Sequence, residues 1–303
     1  MNRKILTTSL AAAFLLVATG LASAQQANTK PPGSATSAAA TPGAATPAPD
    51  GAANVDELAK QLSNPIAALI SVPFQYNYTR TYGDDGYQNL LNIQPVVPIS
   101  ISTDWNVISR TILPVIQQKD VRPGDTQFGL GDTTQSFFFS PKKPTASGLI
   151  WGIGPVAYIP TGTDGIGANT WAFGPTIVLL KQTGPWTIGV LANQLWDTGG
   201  PADISAFYVQ PFITKGLGKG RTISFNTETS YNWVNDEWTI PFNLGYSKVS
   251  RMGHQLVSNY IGLKVYADTP YGNGPDWGVR YVFTLLFPKK IDFRAASAGM
   301  EAP

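Results

Sequence analysis

The sequence predicts an all-β protein, a transmembrane antiparallel β-barrel of about twelve strands that follows a short N-terminal periplasmic helix. Three observations predict it: apolar and polar side chains alternate over long segments, the apolar rows carry no charge, and the tryptophans lie at segment ends. Only 13% of the residues are charged, against about a quarter in an average soluble domain. This composition suits lipid contact better than a surface covered by water.

Alternation with a period of two marks the strands. In RTISFNTETSYNW, apolar Ile223 and Phe225 alternate with polar Ser224 and Asn226, and the pattern recurs in IAALISVPFQYNYT, WTIPFNLGY and WGVRYVFTLLF. Alternation over about nine or more residues predicts long strands with one apolar and one polar face. Breaks at turn residues give about twelve segments, an even number as bacterial barrels require. Their expected centres are Phe74, Ile93, Leu113, Thr134, Pro155, Ile177, Val190, Pro211, Thr227, Asn243, Gly262 and Val282.

The eight tryptophans all lie near a predicted turn, as the two interfacial girdles of a membrane barrel would require. Tryptophans that filled a core would lie in the middle of strands. They are Trp105, Trp151, Trp171, Trp186, Trp196, Trp233, Trp238 and Trp277.

Prolines inside the predicted strands are the one feature that opposes this interpretation, because a proline removes a ladder hydrogen bond. We expect bulges that bend the barrel wall at these positions. They are Pro73, Pro95, Pro114, Pro155, Pro175, Pro211 and Pro241.

The chain divides into five parts. Residues 1–24 have a basic start, an apolar run and the cleavage pattern Ala22-Ser23-Ala24 of a signal peptide. Residues 25–52 are rich in Ala, Pro and Thr and form a linker, because such a segment cannot bury enough apolar surface to fold. A short amphipathic helix (53–64), the barrel (65–290) and a C-terminal tail (291–303) follow.

The short helix is predicted from Asn54 and Glu57, which resemble a capping box, and from helical spacing of Val55, Leu58 and Leu62. As a helix, this segment would enter the lumen as a plug or lie across the periplasmic mouth. The alternative is that it is a disordered segment leading into the first strand. A helix this short needs a packing partner to be stable.

Catalytic and metal chemistry have little support in the sequence. The chain has no cysteine and one histidine, His254, in the predicted turn RMGHQ. It therefore offers no zinc site, and a catalytic Ser–His pair could use only this one turn histidine. We therefore expect no cofactor, no metal and no enzymatic activity. A net charge of +2 gives no reason to expect nucleic acid as a partner.

Five charged side chains are expected to face the lumen, because a charge on the lipid face at bilayer depth costs about 2–4 kcal/mol for Arg or Lys. They would line a pore: Arg110, Asp132, Glu228, Lys264 and Arg280. Such a set would brace the interior by ion pairs or act as a charged constriction that selects solutes. The two roles are compatible.

Several runs resemble a family of bacterial outer-membrane proteins named for the MetA pathway of phenol degradation. The runs include SNPIAALISVPFQYNY, NIQPVVPISI, GLGDTTQSFFFSP, LIWGIGPVAYIPT and the closing WGVRYVFTLLFPK, and the resemblance covers about residues 56–289. The resemblance implies a barrel in the outer membrane of a Gram-negative bacterium that transports small molecules, apolar or aromatic compounds among them.

Partners and alternatives follow from this expectation. Outer-membrane lipids and lipopolysaccharide would surround the barrel, the barrel-assembly machinery would insert it, and a small-molecule solute would pass through it by passive uptake or efflux. One alternative is a structural barrel that conducts nothing. Another is an outer-membrane lipid-modifying enzyme, which the single His254 disfavours.

Overall fold

The structure, a computed structural model, describes residues 55–80, 86–121, 126–270 and 274–288. In these residues one helix, α1 (Val55–Leu62), precedes fifteen strands. The strands are β1 (Ile70–Arg80), β2 (Tyr87–Ile93), β3 (Val96–Ser100), β4 (Trp105–Lys119), β5 (Gln127–Leu130), β6 (Thr133–Pro141), β7 (Leu149–Ile159), β8 (Ala172–Thr183), β9 (Trp186–Asp197), β10 (Ser205–Gly218), β11 (Arg221–Thr227), β12 (Thr229–Asn232), β13 (Glu237–Met252), β14 (Gln255–Asp268) and β15 (Trp277–Phe287).

These strands form a closed antiparallel barrel of twelve strands, which confirms the predicted fold class. Three barrel strands are interrupted, so that β2 with β3, β5 with β6, and β11 with β12 each act as one. Closure comes from β1 and β15, which pair from Ile70–Phe287 to Arg80–Trp277. Each expected strand centre lies in its own barrel strand, because the alternating pattern sets where each strand begins and ends.

The two faces of the wall differ as the alternation predicts. On β14, the outward Ile261, Leu263 and Val265 are 65%, 62% and 57% exposed, whereas Lys264 between them is 9% exposed. Seven of the eight tryptophans are exposed and all lie at or near strand ends. A band of exposed apolar side chains bounded by aromatic residues is the surface that a bilayer stabilises. In the residues that the structure describes, no helix has the length and apolar character needed to cross a membrane.

Prolines interrupt the ladders, but mostly without the expected bulges. Next to Pro95 and Pro211 the pairing stops and resumes in the same register. Of these prolines, Pro114, where β5 passes into β6, and Pro241 on β13 lie beside a register shift. At most of these positions the missing N–H therefore removes a single interstrand hydrogen bond. The closed barrel tolerates the loss because the hydrogen bonds on either side remain.

The two ends of the barrel are named for what they hold. The helix end is where β1 begins, where β15 finishes and where α1 packs. The loop end is the opposite end, where residues 160–171 join β7 to β8. The helix, predicted over 53–64, spans Val55–Leu62 in the described residues. The signal peptide (1–24), the linker (25–52), Asn54 and the tail (291–303) lie outside them.

Candidate functional site

The lumen holds a buried ion-pair network around Glu228, which we call the Glu228 cluster (Asn77, Glu228, Lys264 and Arg280). Nη1 and Nη2 of Arg280 each donate to one carboxylate oxygen of Glu228 at 2.7 Å. Lys264 Nζ donates to the same carboxylate at 3.1 Å, and Arg280 Nε donates to Asn77 Oδ1 at 2.7 Å. The bidentate pairing holds both charged planes in one orientation, as is typical of arginine with a carboxylate.

Strand order explains why these residues meet. Barrel closure puts β1 beside β15, and the register pairs Asn77 directly with Arg280. Lys264 comes from β14, the strand on the other side of β15. Glu228 lies in the break between β11 and β12, at the register position opposite Pro241, which has no N–H to donate. The break therefore places a charged side chain where the ladder is weakest.

The cluster is almost dry and carries a net positive charge. The side chains of Arg280, Lys264 and Glu228 are 7%, 11% and 18% exposed. Two cations share one carboxylate, so the attraction to Glu228 has to offset the desolvation of both Lys264 and Arg280. Removing Glu228 would leave two like charges close together in a medium of low dielectric constant.

Arg110 lies in the lumen but outside the cluster. Its Nη2 donates to Gln94 Oε1 at 3.2 Å, and it borders a cavity of about 200 Å³. In the described part of the chain, no carboxylate oxygen lies within 4.0 Å of its guanidinium group. The sequence placed Arg110 with the other lumenal charges, and the structure separates it from them.

Asp132 has a different environment again, at the loop end. It follows the bulge between β5 and β6, and its carboxylate accepts hydrogen bonds from Gly162 N at 2.8 Å and Ala168 N at 2.6 Å. A Cβ on Gly162 or Gly167 would lie 2.7 Å from Asp132 Oδ1, so only glycine allows the loop to close around this carboxylate. Asp132 thus anchors residues 160–171.

That loop lies on the inner side of β5. The register puts Gly129 opposite Ile116, in the same inward row as the buried Gln118. A Cβ on Gly129 would lie 2.6 Å from Thr163 Oγ1, so the loop occupies the space that an inward side chain would take. The loop end of the lumen is therefore narrowed by residues 160–171.

At the helix end, α1 packs against the inner wall. Leu58 and Ala59 are 3% and 7% exposed and form one apolar cluster with Val249, Leu256 and Leu286. Val55 and Leu62 are partly buried against the same cluster. Two polar contacts fix the helix: Gln182 Nε2 donates to Lys60 O at 3.0 Å, and Gly220 N donates to Asp56 Oδ1. This packing supplies the partner that so short a helix needs.

The chain after α1 crosses to the opposite wall. Ile66 is 4% exposed and packs with Ile108, Phe138 and Val178, which belong to β4, β6 and β8. Burying a Leu or Ile side chain contributes roughly 1.5–3 kcal/mol, so these contacts hold the segment without directional bonds. Together, α1 and residues 63–69 fill much of the helix end.

His254 lies in the exposed turn between β13 and β14, where the sequence predicted it. The described ranges contain no group of acidic, histidine or cysteine residues able to hold a metal ion.

Sequence reasoning missed Asn77 and Gln94, the neutral partners of the two lumenal arginines. Both are polar residues of predicted strands, but many inward positions are polar, so alternation does not single them out. Pairing the first predicted strand with the last would have placed Asn77 near Arg280, because a closed barrel requires that contact.

The comparisons with known proteins concern the fold. No protein-family model and no curated protein matches the sequence. Among solved structures, an outer-membrane channel from Pseudomonas putida F1 is similar, with a TM-score of 0.57 and 13% identity over 72% of this chain and 94% of that chain. The KdgM porin has a TM-score of 0.44 and 11% identity, over 72% of this chain and 99% of that one. Outer-membrane phospholipase A of Escherichia coli has a TM-score of 0.43 and 11% identity, over 73% and 97%. The closed barrel, its apolar outer band and the first of these likenesses show that the protein has the fold of an outer-membrane β-barrel.

Proposed function

We propose that the protein is a passive channel or transporter for the uptake or efflux of small molecules. The resemblance to the phenol-degradation family supports apolar or aromatic solutes, and the likeness to the Pseudomonas putida channel supports a barrel of the channel type. Outward residues such as Leu263 would contact lipids and lipopolysaccharide, and the barrel-assembly machinery would insert the chain. The proposed activity needs neither cofactor nor metal.

The observation that carries this proposal is the Glu228 cluster. A barrel that served only as a scaffold would gain as much stability from an apolar interior, since buried ion pairs seldom exceed hydrophobic packing in net stabilisation. A charged, hydrogen-bonded cluster in a narrow lumen instead acts on solutes at close range. The cluster has one carboxylate against two cations, and Arg110 adds a third lumenal cation on β4, so the described lumen favours anions.

The test is ion selectivity in a planar bilayer under a KCl gradient. Wild-type protein should conduct with a preference for chloride. Glu228→Gln should raise the anion-to-cation permeability ratio by about twofold or more, because it leaves Lys264 and Arg280 without their counter-charge. Lys264→Gln should lower the ratio.

Asp203→Asn is the control, because Asp203 is exposed between β9 and β10 and its charge is screened beyond about 8 Å. If the wild type and the three variants had equal selectivity, the Glu228 cluster would not act on ions that pass through the pore. If folded wild-type protein neither conducts ions nor passes small aromatic compounds into liposomes, the channel proposal fails.

A structural barrel without flux is the second candidate, and the filled helix end favours it. Leu58, Ala59 and Ile66 are all at least nine-tenths buried in the lumen, which is the packing expected of a closed barrel. The liposome measurement separates the two candidates. A lipid-modifying enzyme, the remaining alternative from the sequence, gains no observation from the described residues around His254.

A further inference from the structure

The two lumenal arginines differ in how completely they are paired. Arg280 uses three of its nitrogen atoms on Glu228 and Asn77. Among the described residues, the Arg110 side chain has one hydrogen bond, to the neutral amide of Gln94. A half-buried guanidinium group that lacks a carboxylate partner keeps several donors for another acceptor.

Arg110 lines a cavity that is large enough for a small molecule. The cavity of about 200 Å³ lies between residues 61–69 and the inner wall. Its lining is mixed: the apolar side chains of Leu62, Leu69 and Val96 lie beside Arg110 and the amides of Gln94 and Gln210. Val96 is the direct register partner of Arg110 on the neighbouring strand. An apolar cavity of roughly 150 Å³ is enough to hold a benzene ring, so the space fits a compact ring with one polar group.

The chemistry of the lining defines the ligand. A planar guanidinium group pairs with a carboxylate through two parallel hydrogen bonds, and burial strengthens the attraction. Apolar side chains beside the charge favour a hydrocarbon body over a small hydrated anion. We infer that the Arg110 cavity is a binding subsite for a small organic carboxylate with an apolar or aromatic body. This inference names a solute class for the proposed channel and rests on that proposed function.

Two other anion sites in the lumen are weaker candidates. Lys264 and Arg280 already share Glu228, so an incoming carboxylate would have to compete with a bidentate ion pair. The backbone N–H groups of Gly162 and Ala168 are taken by Asp132. Arg110 is the lumenal cation, among the described residues, whose charge no described carboxylate contacts.

The experiment measures equilibrium binding, not flux. Purified full-length protein in detergent is titrated calorimetrically with three probes: benzoate, benzyl alcohol, which has the ring without the charge, and acetate, which has the charge without the ring. Benzoate should bind wild-type protein at least about tenfold more tightly than either of the others, since the charge and the apolar body both contribute.

Three variants locate the site. Arg110→Gln should weaken benzoate binding about tenfold or more. Val96→Phe, which fills the cavity without changing charge, should weaken it similarly. Arg251→Gln, the same substitution at an exposed position near the end of β13, should bind benzoate as wild type does.

The possible results separate clearly. Equal binding of benzoate and benzyl alcohol, or unchanged benzoate binding in folded Arg110→Gln or Val96→Phe, would overturn the subsite. If Arg110→Gln fails to fold, Val96→Phe and the probe comparison on wild type still decide. Benzoate binding that depends on Arg110 in a protein that conducts nothing would support the subsite and refute the channel. Conduction without such binding would do the reverse.

Discussion

The two ends of the barrel are narrowed by different kinds of contact. At the helix end, α1 and residues 63–69 are held mainly by apolar burial, with Leu58 and Ile66 almost inaccessible. At the loop end, residues 160–171 are held by directional hydrogen bonds, two of them to the carboxylate of Asp132, and by the close approach of Gly162 and Gly167. Apolar burial is non-directional and scales with area, whereas a hydrogen-bonded anchor depends on the position of a few atoms.

The two ends should therefore open in different ways. The helix end should release only when much apolar area is removed, because no single contact dominates. The loop end should respond to the loss of a single side chain, because the Asp132 carboxylate accepts hydrogen bonds from two backbone N–H groups of the loop. A substitution or deletion at one end leaves the other end unchanged, so the unchanged end serves as an internal reference.

Deletion of Val55–Leu62 should have the largest effect. The barrel should still assemble, because the strand ladders do not involve α1. Single-channel conductance should rise by roughly severalfold as the helix end opens. Unchanged conductance in folded protein would show that the loop end, not the helix end, limits the pore.

Leu58→Ala should loosen the same end without removing it. A buried Leu→Ala change typically costs about 2–5 kcal/mol, so amide exchange of α1 should accelerate by about thirtyfold or more. Val55→Ala is the control, because Val55 is only partly buried and its effect should be much smaller. Hydrogen-exchange mass spectrometry on the folded protein measures both. Equal effects of the two variants would show that the apolar cluster does not hold the helix.

Asp132→Ala should release the loop end, with a smaller effect. It removes a carboxylate that accepts two hydrogen bonds, but Gly162 and Ala168 are only half-buried, so water can replace much of what is lost. Thr161 and Thr163 keep their own bonds to Thr133 and Leu130, so amide exchange in residues 160–171 should rise only about tenfold. Asp164→Ala is the control, because Asp164 is an exposed carboxylate in the same loop. A similar response of both variants would mean that Asp132 is no anchor.

Much of the wall could be predicted from the sequence, but the contacts in the lumen could not. Ile223 and Phe225 face outward because alternation assigns them to the apolar row, and the structure agrees. The five lumenal charges were predicted as one set. The structure brings Glu228, Lys264 and Arg280 together, leaves Arg110 at its own cavity and uses Asp132 to anchor a loop.

The physical reason is the range of each effect. Alternation and turn residues act between neighbours in the chain, so the sequence by itself determined the strands, their count and the face of each side chain. Which inward residues meet depends on closure and register, which are properties of the whole barrel. Only the tertiary structure set Asn77 against Arg280, 203 residues apart in the chain, and packed α1 against three strands from the other end of the sequence.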